Sequence, residues 1–216
     1  MRVEKKILGF IAVLFGLILI LVVRSCSLYP IANIGSQGEN VICFGDSITR
    51  GANVVAEKSY PSLLSKLLGR EVINAGVGGD TTASAIRRLD RDVLERDPLL
   101  VVVILGGNDF LTKVPREKTF KNLEFIVKSI KAQGAIVVLG QLGPINMSGY
   151  RHYYKELARQ EGAFLIKDLL SGIFANPSMM SDHIHPNEKG YEEMCERVYN
   201  AIKSILAQNQ QLRGNL

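Results

Sequence analysis

Apolar and polar positions along this chain follow two periods, and one stretch has no polar position at all. Between Ile7 and Val23, 17 consecutive residues are aliphatic or Phe apart from Gly9 and Gly16. Beyond residue 39, short apolar runs alternate with stretches in which apolar residues recur every three to four positions. The runs at 40–44, 72–75, 99–105, 135–139 and 163–166 predict five strands. The run Leu-Leu-Val-Val-Val-Ile-Leu at 99–105 is unbroken, as expected of a central strand covered on both faces. Helical spacing predicts helices over 60–68, 81–96, 116–133 and 150–161, and a last one from Asn187 to about Gln208. Gly134 and Gly162 stand where helix C-termini favour glycine. Strands alternating with helices, through connections too long for hairpins, predict an α/β fold. Its sheet is parallel, of about five strands, with helices on both faces.

Composition is compatible with a packed core: 47% of the residues are hydrophobic and 22% charged. The formal net charge is +5, but Arg2, Lys5, Lys6 and Arg24 against Glu4 account for +3 of it. The excess flanks the apolar run rather than forming a basic face, so nucleic-acid binding is not expected. Cys26, Cys43 and Cys195 form no disulfide framework and no C-x-x-C pair. Cys43 and Cys195 read as packed thiols.

The apolar run can be read as a membrane anchor, a cleaved signal peptide or the leader of a lipoprotein acylated at Cys26. A helix of that length spans about 26 Å, slightly less than a bilayer core of about 30 Å. No small-residue cleavage site follows Val23, and Arg24 interrupts the pattern a lipobox requires, so the anchor is the expected reading. Basic residues ahead of the run place the N-terminus in the cytoplasm and the domain outside it. The expected organisation is an anchor or uncleaved signal at 1–24, a tether at 25–38, one domain at 39–208 and a polar tail at 209–216.

Ligands of parallel sheets bind beyond the carboxyl ends of the strands. Polar clusters fall at those places. Gly45-Asp46-Ser47 follows the first strand; Asn74, Gly76, Gly78 and Gly79 follow the second; Gly106-Gly107-Asn108-Asp109 follows the third; Asp182-His183-Ile184-His185 precedes the last helix. Together they hold what acyl transfer needs. Ser47 is a candidate nucleophile, and a serine needs a base. His185 is the candidate base, three residues after Asp182, which can hold the other imidazole nitrogen. The amides of Ser47 and Gly79 and the side chain of Asn108 are candidate donors to an oxyanion. Asp46 and Asp109 read as loop-holding residues, His152 as a surface or packing residue, and His183 as structural. No G-x-S-x-G elbow, dinucleotide fingerprint or P-loop is present; Asp182, His183 and His185 could form a metal cluster, but no Asp-x-His or His-x-x-x-His partner occurs earlier, so no metal and no cofactor are expected.

The four blocks, in this order, resemble the GDSL/SGNH hydrolase family, over roughly residues 41–205 and most closely its bacterial thioesterase/lysophospholipase/arylesterase branch. Ile48 stands in place of the Leu in the family's name, and His183 where that branch often has Gly. The resemblance implies a flavodoxin-like three-layer α/β/α sandwich. It also implies Ser47 as nucleophile, Gly79 and Asn108 as oxyanion donors, and Asp182 with His185 completing the site. The expected function is a serine esterase acting on acyl esters or thioesters, with small-molecule or lipid-like substrates, held at the envelope by Ile7 to Val23. The same groups would serve a carbohydrate O-deacetylase, and a non-catalytic tethered binding module is the remaining class.

Overall fold

The computed structural model describes residues 29–142 and 148–214. The apolar run 7–23, and with it the anchor reading, lies outside the described residues. Among the described residues no helix is long and apolar enough to cross a membrane.

Five strands form one parallel sheet: β1 (Asn40–Gly45), β2 (Val72–Gly76), β3 (Pro98–Ile104), β4 (Ile136–Gly140) and β5 (Phe164–Ile166), in the order β2-β1-β3-β4-β5. Val41 pairs with Val72 on one side and Leu100 on the other, and Val102 pairs with Val138. All seven residues of β3 are buried, which is why its sequence has no polar face. After β1 the chain turns one way to β2 and then crosses back to β3. The ends of β1 and β3 therefore flank the topological switch point.

The helices are α1 (Ser47–Arg50), α2 (Tyr60–Leu68), α3 (Thr82–Ile86), α4 (Leu89–Asp92), α5 (Gly107–Leu111), α6 (Arg116–Ala132), α7 (Ser148–Glu161) and α8 (Glu188–Gly214). Helices α2 and α8 pack together on one face of the sheet; α3, α6 and α7 pack on the other. This is the three-layer sandwich the resemblance implied. Tyr60, Leu64, Tyr191, Met194 and Val198 fill the first interface; Leu123, Ile126, Val127 and Ile130 turn α6 toward the sheet. Cys43 and Cys195 are buried and free, and burial pushes both thiols up to about 12. They are packing residues with little thiolate at neutral pH.

Two expectations are corrected. The single helix over 81–96 is three short pieces: α3, α4 and a 3₁₀ turn at Leu94–Arg96. Ala85, Leu89 and Val93 keep the apolar stripe buried, but Arg88 leaves helical geometry at φ −118° and ψ 5°. Its guanidinium turns inward to Asp80 at 2.6 Å and Asp92 at 2.9 Å, and donates to the carbonyls of Ala75 and Gly45. It also lies over the Phe44 ring. A buried cation needs partners of this kind, and satisfying them takes precedence over helix continuity.

The second correction concerns the segments expected to be a tether and a tail. Residues 31–38 run as a strap along the amino ends of the strands. Ala32 N–H donates to the Gly162 carbonyl, and Asn33 donates to the Lys131 and Ala135 carbonyls. Ile31 and Ile34 pack on the core. Helix α8 continues to Gly214, and within it Asn209 is buried, donating to the carbonyls of Ile34 and Ser36 at 2.9 Å each. Arg213 reaches the Gly38 carbonyl and the Glu39 carboxylate. Strap and helix end satisfy each other's polar groups, so neither hangs free.

Candidate active site

Ser47 opens α1, a single turn directly after β1. Asp46 caps that turn: its carboxylate accepts from Ile48 N–H at 3.0 Å. Asp46 is 2% exposed, and burial raises its carboxyl to about 7 against the opposing pull of that N–H. It is a loop-holding residue, as its place in the sequence suggested.

Ser47 Oγ lies 3.0 Å from His185 Nε2, across 138 positions of sequence. His185 Nδ1 lies 2.7 Å from Asp182 Oδ2. With the Nδ1 proton directed at the carboxylate, Nε2 is left to accept from the serine hydroxyl. The 182–185 segment is held as a tight turn. Asp182 Oδ1 accepts from the backbone N–H of Ile184 at 2.8 Å and of His185 at 2.7 Å. Ser181 N–H donates to the His185 carbonyl at 2.9 Å, and Met180 bridges to Pro186. The Asp182 carboxyl is held well below the usual range, chiefly by the His185 imidazole and then by the Ile184 N–H.

Sequence reasoning passed over Asn53. It adopts a left-handed conformation (φ 65°) and donates to Asp182 Oδ2 at 2.7 Å and Ser181 Oγ at 3.1 Å. The Gly51-Ala52-Asn53 run after α1 carries the turn signal, but nothing local points to Asp182. Arg88 was passed over as well; through Gly45, Ala75 and Asp80 it ties together the ends of β1 and β2 and the loop that follows β2.

That loop carries Gly79, exposed and at φ +79°, which a side chain would strain. Among the described residues no backbone carbonyl takes its N–H. The N–H of Ser47, first in its helix, is likewise without an intrahelical acceptor. Asn108, in α5 after β3, donates one amide hydrogen to the Asp80 carbonyl at 2.9 Å. Among the described residues its other amide hydrogen has no acceptor. Asp109 is fully buried and accepts from Thr82 N–H at 2.8 Å and Thr82 Oγ1 at 2.6 Å, fixing α5 to α3. Gly106 makes the turn between β3 and α5 at φ +106°, where a Cβ would lie 2.7 Å from the Tyr154 hydroxyl.

A cleft of about 220 Å³ opens beside Ser47. Ile48, Phe110, Leu111, Leu142, Phe174 and Ile184 give it apolar walls, with Asn108, His183 and His185 on its polar side. His183, expected to be structural, is an exposed wall residue. Gly79 is outside the cleft, on the β2 side of Ser47. Met179 and Met180 pack against the core, and His152 stands edge-on to Tyr153, away from the site. Among the described residues no three metal-binding side chains cluster.

A serine whose hydroxyl meets an oriented imidazole, with free amide donors nearby and an apolar cleft beside it, is equipped to open an acyl bond. Comparison with known proteins points the same way. The model of the GDSL-like lipase/acylhydrolase family matches residues 43–193. The chain is 30% identical over 183 residues to Esterase TesA of Pseudomonas aeruginosa, covering 79% of this chain and 91% of that protein. It is 33% identical over 172 residues to an arylesterase of Vibrio mimicus, covering 74% and 86% respectively. The crystal structure of TesA aligns with a TM-score of 0.73 at 30% identity, over 77% of this chain and 99% of that one.

Proposed function

The chain belongs to the GDSL-like lipase/acylhydrolase family and is a carboxylic ester hydrolase, and we propose that Ser47, His185 and Asp182 carry out its reaction. The observation that carries this reading is the pair of hydrogen bonds at 3.0 and 2.7 Å that links the three side chains.

The acyl carbonyl sits beside Ser47 with its chain in the cleft. Ser47 Oγ attacks as His185 Nε2 takes its proton. Asp182 keeps the imidazole in register and offsets the charge it gains. The carbonyl oxygen becomes an oxyanion, held by the N–H groups of Ser47 and Gly79 and the free amide hydrogen of Asn108. As the tetrahedral intermediate collapses, the alcohol or thiol leaves with the proton from His185. Water, deprotonated by the same nitrogen, then attacks the acyl-enzyme; the acid departs and Ser47 regains its proton.

Walls formed by Phe110, Leu111, Leu142 and Phe174 suit an acyl chain longer than acetyl, which favours this reading over an O-deacetylase. Ser47→Ala and His185→Ala in the full chain should each lower kcat on a neutral hexanoate ester by about 10⁴ or more. Their far-ultraviolet spectrum and melting temperature should stay near wild type. Wild-type turnover in either folded variant would remove the assignment.

The domain acts outside the cytoplasm, held to the membrane by the run from Ile7 to Val23. The support is the run's length and the basic residues Arg2, Lys5 and Lys6 ahead of it. Retention of the full chain in carbonate-washed membranes, with the domain open to protease from the non-cytoplasmic side, is the expected result. Release by carbonate would contradict it.

A further inference from the structure

The order of the strands gives Ser47 two unlike flanks. The apolar cleft lies over the β3–β5 half of the sheet: Asn108 and Phe110 follow β3, Leu142 follows β4 and Phe174 follows β5. The other flank, over β2, is an exposed loop at Val77–Gly79. Arg50 lies on that side. It ends the helical turn that Ser47 opens, so the two residues are three apart on one turn. Its guanidinium rests against Gly78: a Cβ there would lie 3.4 to 3.5 Å from Cζ, Nε and Nη2. Gly78 precedes Gly79, whose free N–H the proposed mechanism uses. The Arg50 backbone is pinned, its carbonyl accepting from Asn74 at 3.4 Å. Its side chain is exposed, and among the described residues no carboxylate pairs with it.

We infer that Arg50 recognises the leaving group, selecting esters or thioesters whose alcohol or thiol portion carries an anionic oxygen, a carboxylate or a phosphate. The inference rests on the Ser47 reading and extends it. With the acyl chain in the cleft, the departing portion of the substrate must extend over the opposite flank. There it meets a cation that, among the described residues, no carboxylate pairs with. A guanidinium offers a planar fork to an anionic oxygen, and this one stands against Gly78, one residue before the oxyanion donor Gly79 of the proposed mechanism.

The test uses the full chain and two nearly isosteric esters, 3-carboxyphenyl hexanoate and 3-carbamoylphenyl hexanoate. The readout is the ratio of kcat/KM for the charged over the neutral ester, compared between wild type and Arg50→Gln so that intrinsic reactivity cancels. The ratio should fall about fivefold in Arg50→Gln, through KM, and recover in part in Arg50→Lys. The wild-type ratio should also fall with added salt, and that of Arg50→Gln should not. An unchanged ratio overturns the inference, as does an equal loss on both esters. A loss confined to an ester with its carboxylate on the acyl portion, such as monophenyl adipate, also overturns it. Hydrolysis of the neutral ester by Ser47→Ala at the wild-type rate would instead sink the parent reading, whatever the ratio does.

Discussion

The amide of Asn53 donates to the same Asp182 oxygen that holds His185, at 2.7 Å, from a residue 129 positions earlier in the chain. The carboxylate is thus gripped on one oxygen by two side chains and on the other by two backbone N–H groups. Asp182 is half exposed, so without such a grip it could turn to solvent and leave His185 without a fixed tautomer. Asn53→Ala should lower kcat about three- to tenfold at nearly constant KM, since it acts through Asp182 without touching substrate. Asn53→Gly keeps the left-handed backbone and should show the same kinetic loss with less loss of stability. Steady-state kinetics and thermal melts of both variants separate the two effects. Wild-type kcat in Asn53→Ala would show that Asp182 needs no support.

Asn108 is expected to act on the oxyanion. Asn108→Ala should lower kcat by roughly 10² to 10³, with a smaller change in KM. The Asp80 carbonyl also loses its partner in this variant, so thermal melting is needed as a control. A large rise in KM at unchanged kcat would make Asn108 a substrate-binding residue.

Arg88 is the buried cation that joins the ends of β1 and β2 to the Gly79 loop. Replacing it with Met leaves the buried Asp80 carboxylate without its charge partner. Breaking such a pair costs about 3 to 5 kcal/mol. Urea denaturation of Arg88→Met should show a loss of that order. A loss below about 1 kcal/mol would mean that Asp80 finds other partners.

Asp46 gives a pH signature in stability. Burial raises its folded-state carboxyl from 3.8 to about 7, so between those values the folded protein binds the proton and the unfolded chain does not. The contribution of this group to stability is therefore greatest below the unfolded value and is lost as pH rises toward 7, at up to about 1.4 kcal/mol per pH unit. Asp46→Asn removes the titration. The stability of wild type relative to Asp46→Asn should decline from pH 4 to pH 7, measured by urea denaturation across that range. A flat difference would show that Asp46 stays ionised in the fold.

Much of this architecture is legible in the sequence because a period of two or 3.6 is a local property. The helix at Tyr60–Leu68 and the buried strand after Pro98 are each specified by the residues within them. The polar clusters at the strand ends were legible for a topological reason: a parallel sheet brings all its carboxyl ends to one side. What local pattern hides is long-range polar satisfaction. Arg88 breaks a helix whose apolar stripe runs on undisturbed, because its partners Gly45, Ala75 and Asp80 lie in other elements. The strap at 31–38 looks like a linker, with Gly35 and Gly38 among small polar residues. Its partners Lys131, Gly162 and Asn209 are scattered over the rest of the chain. Asn53 is hidden in the same way.

Labelling with a fluorophosphonate tests the central claim most directly. The reagent phosphonylates a serine only where a neighbouring base activates the hydroxyl and oxyanion donors receive the phosphoryl oxygen. Treatment of the full chain, followed by peptide mapping by mass spectrometry, should give one adduct, on Ser47. That adduct should be lost in Ser47→Ala and strongly slowed in His185→Ala. A folded protein that takes no adduct, or takes it equally without His185, would contradict the assignment of Ser47, His185 and Asp182 as the hydrolytic site.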